Sequence, residues 1–338
     1  MRALVLKDFG TMAVEERETP VPGPGEVLLR VIATGICGSD LHGYTGANGR
    51  RVPGQVMGHE TVGRVAASGA EAGVADGALA TVNPVVSCGT CPACAAGTEQ
   101  HCPTKRVIGV DPTRSAAFAE YLVVPAANLV PLAGPMPEEH GALIEPLAVG
   151  HHAARRGAVT ADDTVLVTGG GPIGQAVVLA ARRLGAHRIL VSEPDPGRRR
   201  LCATLGAHVL DPADGPLPDQ VRDVLGAPAS VAVDAVGISA TVADALAATS
   251  PGARIVLVGM GSPQLDLNAF AISTEERTLT GTFSYPAAEF RAVADWVAEN
   301  PAELTSLIDR QIPLDAAPAE FATLTGDANV PGKVLVRF

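Results

Sequence analysis

VLVTGGGPIG, residues 165–174, joins a run of apolar residues to a cluster of glycines. The apolar run is typical of a buried strand, and the glycines form a G-x-G-x-x-G that opens a helix. Glycines here let the backbone turn tightly and approach a pyrophosphate, which then lies on the amides at the helix N-terminus. The stretch therefore predicts a dinucleotide-binding turn made by Gly169, Gly171, Pro172, Ile173 and Gly174.

An acidic residue indicates which dinucleotide binds. Glu193 ends the next predicted strand, 19 positions after Gly174, where a carboxylate can accept both ribose hydroxyls of NAD. The arginines at 198–200 could instead pair with the 2′-phosphate of NADP. However, Glu193 would repel that phosphate, and the Asp-Pro before the arginines is typical of a helix start that turns some of them to solvent. We expect NAD, bound by Glu193 and Arg198; a glycine turn in a sugar-nucleotide or phosphate-binding protein is the alternative.

The sequence on either side of this turn predicts two domains. Residues 148–283 alternate strand-like runs (VLVTG, RILVS, VAVDA, RIVLVG) with helical ones, which indicates a parallel sheet. Residues 1–147 are rich in Pro and Gly with short β-like runs, and a helical stretch after Phe283 leads to a closing VLVRF strand. The uncharged run 164–181 has the length of a short membrane span, but its central glycines predict strand, turn and helix instead.

Composition excludes several kinds of partner. The 25 Lys and Arg residues face 36 Asp and Glu, a net charge of -11, and no basic face interleaved with aromatics is found. Nucleic acid and membrane are therefore not expected as partners. The first ten residues lack the apolar core of a signal peptide, so we expect a cytoplasmic protein whose cysteines are reduced.

Four of the six cysteines lie within residues 88–102, which we call the four-cysteine lobe. Their C-x2-C-x2-C-x7-C spacing suits tetrahedral zinc, and a site with four protein thiolates leaves no position for substrate. We therefore predict a structural zinc; a disulfide pair or four idle thiols is the alternative. Its ligands would be Cys88, Cys91, Cys94 and Cys102.

A second, open metal site has candidate ligands in glycine-rich and apolar segments. Cys37 lies in GICGSDLHGY, His59 and Glu60 lie in MGHETVG, and Glu145 lies in ALIEPLAVG. A lone Cys and a lone His are often structural, but an unpaired carboxylate in an apolar run is costly to bury. Because Pro146 disfavours helix at the residue before it, we expect Glu145 to turn its side chain into a cleft.

These motifs together resemble the zinc-dependent medium-chain alcohol dehydrogenase family, within it the polyol branch typified by sorbitol dehydrogenase. The matching segments are GICGSDLH, GHE-x-x-G-x-V, the four-cysteine lobe, ALIEPLAVGHHAARRG and VLVTGGGPIG, which cover almost the whole chain. The resemblance implies an α/β plus β fold: a GroES-like β-barrel catalytic domain, residues 1–147 completed by 284–338, with an inserted doubly wound Rossmann domain, 148–283. It also implies an active site in the cleft and a homo-oligomer, dimer or tetramer.

The resemblance assigns a catalytic zinc to Cys37 and His59. Glu60 and Glu145 are both carboxylates that members of this branch use at or next to the metal, and sequence does not decide which of them is a ligand. Ser39 would contact the substrate hydroxyl, and His42 would relay its proton; a merely exposed loop histidine is the alternative for His42. Zinc would act as a Lewis acid, and NAD would accept the hydride.

One departure from the branch bears on the substrate. Sorbitol dehydrogenases typically carry Phe-Arg-Tyr where this chain has Phe283, Ser284 and Tyr285. A five-donor guanidinium that helps to hold polyol hydroxyls is replaced by one hydroxyl, so sorbitol is expected to be a poor substrate. By family position, Tyr44 and Phe118 would line the pocket with Ser284. We expect oxidation of a secondary alcohol on a polyol, cyclitol or sugar acid.

Two other functions stay open on the sequence. L-Threonine or butanediol dehydrogenase is the alternative enzyme, although no pocket for a zwitterion is identified. A non-catalytic zinc and dinucleotide-binding protein is the alternative from another class. A protein without the chemistry has no need of an open metal site beside a proton relay, so the joint presence of five residues disfavours it: Cys37, Ser39, His42, His59 and Glu145.

Overall fold

The computed structural model describes residues 1–47, 49–114, 116–326 and 330–338. The chain divides into two compact units, of which the first is Met1–Glu145 with Tyr285–Phe338 and the second is Pro146–Ser284. Among the described residues, no helix has both the length and the apolar character that a bilayer span requires.

The first part of the first unit is mostly short strands joined by loops, as the Pro- and Gly-rich sequence predicts. Short 3-10 turns lie at Glu99–His101, Ala126–Asn128 and Glu138–Leu143. The other described elements are β1 (Arg2–Asp8), β2 (Thr11–Glu16), β3 (Glu26–Gly35), α1 (Gly38–Tyr44), β4 (Glu60–Ser68), β5 (Leu79–Val82), β6 (Val85–Val86), α2 (Pro92–Ala95), β7 (Arg106–Val107), β8 (Tyr121–Pro125) and β9 (Leu129–Pro131).

The second unit alternates strands and helices. The described elements, starting from a helix that begins just before the unit, are α3 (Ile144–Arg156), β10 (Thr164–Thr168), α4 (Pro172–Arg183), β11 (Arg188–Ser192), α5 (Pro196–Thr204), β12 (His208–Leu210), α6 (Leu217–Leu225), β13 (Ala229–Asp234), α7 (Ser239–Ala247), β14 (Thr249–Leu257), α8 (Ala269–Ser273) and β15 (Thr278–Gly281). All six strands are parallel, in the order β12-β11-β10-β13-β14-β15. This is the doubly wound Rossmann order, and it confirms the predicted parallel sheet.

The central strand of this sheet is β10, and every one of its residues is buried. Strands of a parallel sheet are covered on both faces, so their sequences are continuous apolar runs rather than alternations of apolar and polar residues. The uncharged stretch that includes β10 is therefore strand, turn and helix, as predicted. The carboxyl end of β10 leads into the glycine turn at the point where the strand order reverses, which is where such sheets bind ligands.

The chain then returns to the first unit through α9 (Ala287–Ala298), β16 (Ile308–Pro313), α10 (Ala317–Leu324) and β17 (Lys333–Arg337). β17 pairs antiparallel with β3, which extends the sheet to the order β16-β17-β3-β4-β5-β9, and β8 also pairs with β3. Phe321 of α10 packs edge-on against Phe118, with ring centroids 5.5 Å apart. The C-terminal segment thus completes both the sheet and the apolar core of the first unit.

The start of α3 differs from the sequence expectation. We expected Pro146 to keep Glu145 out of a helix, but α3 begins at Ile144 and Glu145 lies in its first turn. A proline is tolerated there because the first amides of a helix have no intrahelical acceptor and its missing N–H is not needed. Glu145 is nevertheless buried, with 9% of its surface exposed.

Candidate active site and cofactor site

The pairing of two strands brings the first candidate metal ligands together. Gly35, the last residue of β3, lies opposite Glu60, the first residue of β4. Cys37 follows Gly35 by two residues and caps α1, while His59 directly precedes Glu60. The ligand atoms of Cys37, His59 and Glu60 all lie within 4.8 Å of one another, and His59 and Glu60 are buried. The register of one antiparallel pair therefore builds a three-ligand cluster, which we call the Cys37 cluster.

Glu145 stands beside this cluster rather than in it. Its Oε1 accepts a hydrogen bond of 2.9 Å from the hydroxyl of Tyr285, which is fully buried. Burial raises the pKa of Glu145 to about 6, and the nearby charges of His59 and Glu60 act on it in opposite directions. The structure thus places the two candidate carboxylates in different environments, with Glu60 in the Cys37 cluster and Glu145 held by a tyrosine.

A buried lysine partners Glu60. Lys333 opens β17, is 5% exposed, and donates to Oε1 of Glu60 and, at 3.2 Å, to the carbonyl of Ile36. The other oxygen of Glu60, Oε2, is buried and has no hydrogen-bond partner among the described residues. A buried carboxylate oxygen without a hydrogen-bond partner is costly unless it binds a cation, so this oxygen fits a metal ligand.

Asp40 and Arg51 complete the charged surroundings. One oxygen of Asp40, which is fully buried, lies 3.5 Å from Nδ1 of His59 and 3.6 Å from a guanidinium nitrogen of Arg51. Burial disfavours the charged imidazole, but the carboxylate of Asp40 outweighs it and raises the pKa of His59 well above its usual range. A carboxylate facing Nδ1 leaves Nε2 of His59 to bind a metal, as outer partners of metal-bound histidines do.

The charges of this site fit a divalent cation. With Cys37 as thiolate and His59 as neutral imidazole, the forms in which these side chains bind a metal, four anionic groups face two cationic ones, which leaves two negative charges uncompensated. The donor set of one thiolate, one imidazole and one carboxylate, with a fourth position open, is that of a catalytic zinc. The anionic groups are Cys37, Asp40, Glu60 and Glu145, and the cationic ones are Arg51 and Lys333.

The four-cysteine lobe holds a second, separate cluster. Its cysteines are free thiols, and their sulfurs all lie within 4.8 Å of one another. The sulfur of Cys94 is 3.9 Å from that of Cys88 and 3.5 Å from that of Cys91. Four sulfurs bound at about 2.3 Å to one tetrahedral zinc would lie about 3.8 Å apart, so the cluster fits that ion rather than disulfides.

The candidate proton relay lies on one helix. Ser39 and His42 are three residues apart on α1, a spacing that puts two side chains on the same face. Ser39 is half-buried and His42 is exposed. The pair thus runs from the interior toward solvent along the helix that Cys37 caps.

Two of the three residues predicted for the substrate pocket are buried in the core of the first unit. Tyr44 is buried, donates its hydroxyl to the carbonyl of Gly10 at 2.6 Å, and packs its ring on Phe321. Phe118 is fully buried in the same core. Both side chains thus contribute to packing, and their contact with substrate stays a prediction from family position. Ser284, the third predicted pocket residue, is half-buried and has φ of +54°.

The glycine turn of the second unit fits a dinucleotide. Gly169 has φ of +92°, and a Cβ at Gly174 would collide with the carbonyl oxygen of Gly169, so the fold itself demands glycine at both. A Cβ at Gly171 would meet nothing within 4 Å, so the protein's own packing does not demand glycine there. Gly171 caps α4 without a side-chain hydrogen bond, and Pro172 is its first residue. Open space over a helix N-terminus is the cradle that a pyrophosphate fills.

Glu193 is buried directly after β11 and links the glycine turn to the turn that precedes α5. Its carboxylate accepts from the amide of Gly170 at 2.7 Å and from the amide of Asp195 at 2.8 Å. Asp195 caps α5 by accepting from the amide of Arg198, which confirms the predicted helix start. Arg199 donates to the carbonyl of Glu193 at 2.8 Å, so at least one of the three arginines holds the turn together.

Sequence reasoning missed four residues of the first unit. Asp40 lies inside GICGSDLHGY, three residues after Cys37, so the sequence could have predicted it as a neighbour of the metal ligands. Arg51 lies between Cys37 and His59 but in no recognised motif, whereas Tyr285 and Lys333 come from distant parts of the chain. A buried lysine at the start of a strand cannot be told from a surface one in the sequence.

Comparison with known families gives matches for both units. Residues 23–134 match the alcohol dehydrogenase GroES-like domain, and residues 172–299 match the zinc-binding dehydrogenase domain. L-Galactonate-5-dehydrogenase of Escherichia coli K12 is 32% identical over 96% of this chain and 93% of its own length. L-Threonine 3-dehydrogenase of Pyrococcus abyssi is 36% identical over 78% of this chain and 77% of its own length.

Solved structures with the same fold carry either form of the nicotinamide cofactor. A protein described as a zinc-binding dehydrogenase from Sinorhizobium meliloti 1021, bound to NADP, is 32% identical with a TM-score of 0.90, covering 100% of this chain and 99% of that one. An alcohol dehydrogenase from E. coli CFT073 complexed with NADH is 30% identical with a TM-score of 0.90 and the same coverage.

Proposed function

The chain belongs to the zinc-dependent medium-chain alcohol dehydrogenase family, and we propose that it oxidises a secondary alcohol of a polyol, cyclitol or sugar acid to a ketone, with NAD as hydride acceptor. The Cys37 cluster carries this proposal, because buried carboxylates beside an open metal position suit a substrate with several hydroxyls better than an alkyl alcohol. The similarity to L-galactonate-5-dehydrogenase over nearly the whole chain supports the same substrate class. Assembly into a dimer or tetramer is proposed from the family resemblance.

We assign the catalytic zinc to Cys37, His59 and Glu60, with Glu145 next to it, and a second zinc to the four-cysteine lobe. Zinc at the first site supplies Lewis-acid polarisation of the substrate hydroxyl, and NAD supplies the hydride acceptor. Ser39 accepts the proton that the hydroxyl releases, and His42, one turn further along α1, passes it to solvent. Lys333 holds Glu60 in place through Oε1, which leaves Oε2 for the metal.

The choice of NAD rests on Glu193, because relatives of known structure carry NADP as well as NADH. We expect wild-type kcat/KM to be higher with NAD than with NADP. Replacing Glu193 by alanine removes the repulsion of the 2′-phosphate. The ratio of kcat/KM with NAD to kcat/KM with NADP should therefore fall by about tenfold or reverse. Initial rates with both cofactors, at a fixed concentration of the best substrate, measure the ratio.

A matched variant separates charge from turn geometry at this position. Glu193→Gln keeps an acceptor for the amide of Gly170, loses the one for the amide of Asp195 and carries no charge. It should therefore lower the NAD-to-NADP ratio of kcat/KM with a smaller loss of melting temperature than Glu193→Ala. If the wild type uses both cofactors equally well, the arginines dominate and the NAD assignment fails.

The substrate class is tested with a panel of alcohols at fixed NAD. The panel contains ethanol, 2,3-butanediol, threonine, sorbitol, xylitol, inositols and hexonates, and a clear preference for ethanol would overturn the proposal. We expect sorbitol to be poor in the wild type. Ser284→Arg should raise activity on sorbitol relative to the best substrate by about tenfold, because a charge-assisted hydrogen bond is regained. Ser284→Gln, which is long and polar but neutral, is the control and should give no such gain.

A second candidate function is L-threonine oxidation. The identity to the Pyrococcus enzyme, 36%, is higher than to the sugar-acid enzyme, although it covers less of the chain. The same panel decides, because threonine as the clearly preferred substrate would replace the polyol assignment.

A further inference from the structure

The helix α9 receives its cap from the four-cysteine lobe. Pro286 precedes the helix and provides no side-chain cap. Instead, the amide of Ala287, the first residue of α9, donates at 3.2 Å to Oε2 of Glu99, which lies 188 positions earlier, between the third and fourth cysteines of the lobe. A carboxylate at a helix N-terminus satisfies an orphan amide and complements the helix dipole.

The first turn of α9 also fixes the position of Tyr285. The Tyr285 ring stacks on Phe290, with centroids 5.3 Å apart and an angle of 28° between the rings. Both residues are fully buried. Because Tyr285 precedes Ala287 by only two residues, a shift of the helix start would move its ring, and the hydroxyl of that ring holds Glu145 at 2.9 Å.

The backbone before Tyr285 needs such restraint. Ser284 has φ of +54°, a left-handed conformation that residues other than glycine rarely adopt. Conformations of this kind persist where surrounding contacts hold them in place. The capped start of α9 and the stacked Tyr285 are two such contacts on the C-terminal side.

We propose that Glu99 is a positioning residue for the catalytic site: by capping α9 it places the hydroxyl of Tyr285 on Glu145. The four-cysteine lobe then acts on the site through a chain of three contacts, from Glu99 to Ala287, from Phe290 to Tyr285, and from Tyr285 to Glu145. The inference rests on the proposed function only in assigning Glu145 to the catalytic zinc site.

The first test observes Tyr285 directly and needs no substrate. The chain has three tyrosines, so protein labelled with 3-fluorotyrosine gives a ¹⁹F spectrum with three resonances, and Tyr285→Phe identifies that of Tyr285. Glu99→Ala should shift or broaden this resonance alone. In Glu99→Gln the Tyr285 resonance should stay at its wild-type position, because the side-chain amide oxygen can still accept from the amide of Ala287. Glu18→Ala, an exposed carboxylate of the same unit, is the control that should change none.

The second test asks whether the effect on catalysis passes through Tyr285. Glu99→Ala should lower kcat by about threefold to tenfold with the KM for NAD unchanged, and should cause no further loss in a Tyr285→Phe background. Both variants should keep the zinc content of the wild type. An unchanged Tyr285 resonance in Glu99→Ala, additive losses in the double variant, or loss of zinc would each overturn the proposal. If no alcohol is oxidised, the proposed function fails, while the ¹⁹F spectra still decide the role of Glu99.

Discussion

Replacing Cys37 by alanine should lower kcat/KM by about a thousandfold or more, because Lewis-acid stabilisation of the reacting oxygen amounts to several kcal/mol. Cys37 contributes the thiolate of the cluster that also contains His59 and Glu60. Two ligands and a surplus of one buried negative charge instead of two would not hold the ion at the same affinity. We therefore expect one of two zinc ions to be lost while the chain remains folded, since Cys37 is only half-buried and caps a short helix.

Metal analysis and steady-state rates on the same preparations check this result. Cys202→Ala is the matched control, because that thiol is fully buried in the second unit and belongs to neither cysteine cluster. It should keep both zinc ions and most of the activity. A wild type that contains one zinc ion, still present in Cys37→Ala, would rule out the two-site assignment.

Replacing Cys94 by alanine should instead damage the fold. Its sulfur lies within 3.9 Å of two other thiols, and the lobe has one short helix, α2, with no buried residue of its own. Binding of a structural zinc contributes folding free energy directly, so its loss should lower the melting temperature by about 10 °C or more or cause aggregation.

Thermal melts with and without a chelator test this second prediction. A chelator should reproduce the effect of Cys94→Ala in the wild type, whereas a reducing agent should not. Ala95→Ser, an exposed position on the same helical turn, is the control and should melt like the wild type. If the reducing agent lowers the melting temperature and the chelator does not, the lobe is held by disulfides.

The parts of the fold that sequence predicts are those encoded locally. The apolar run of β10 and the glycines that follow it lie in one short segment, and each has a direct steric consequence. For this reason the dinucleotide turn, the parallel sheet and the capped start of α5 could all be predicted. The residues of the Cys37 cluster could also be predicted, because each lies in a recognisable motif. Cys37 follows β3, and the His59-Glu60 pair lies at the start of β4, which pairs with β3.

The remaining parts depend on directions and distances that no local pattern contains. Tyr44 and Phe118 lie near the site in sequence motifs, yet packing against Phe321 decides where their rings point. The bias that Pro146 exerts against helix at Glu145 does not decide the backbone there, because the first turn of α3 tolerates a proline. Lys333 could not be placed because nothing in its neighbourhood shows that it would be buried.

The pairing of Lys333 with Glu60 also ties the completion of the Cys37 cluster to the docking of β17. The two residues are 273 positions apart, so their contact closes a long loop, and it forms only when β17 pairs with β3. Cys37, His59 and Glu60 can approach one another as soon as β3 and β4 pair, but the counter-charge of Glu60 is absent until β17 docks. The cluster is therefore electrostatically complete only in the fully assembled first unit.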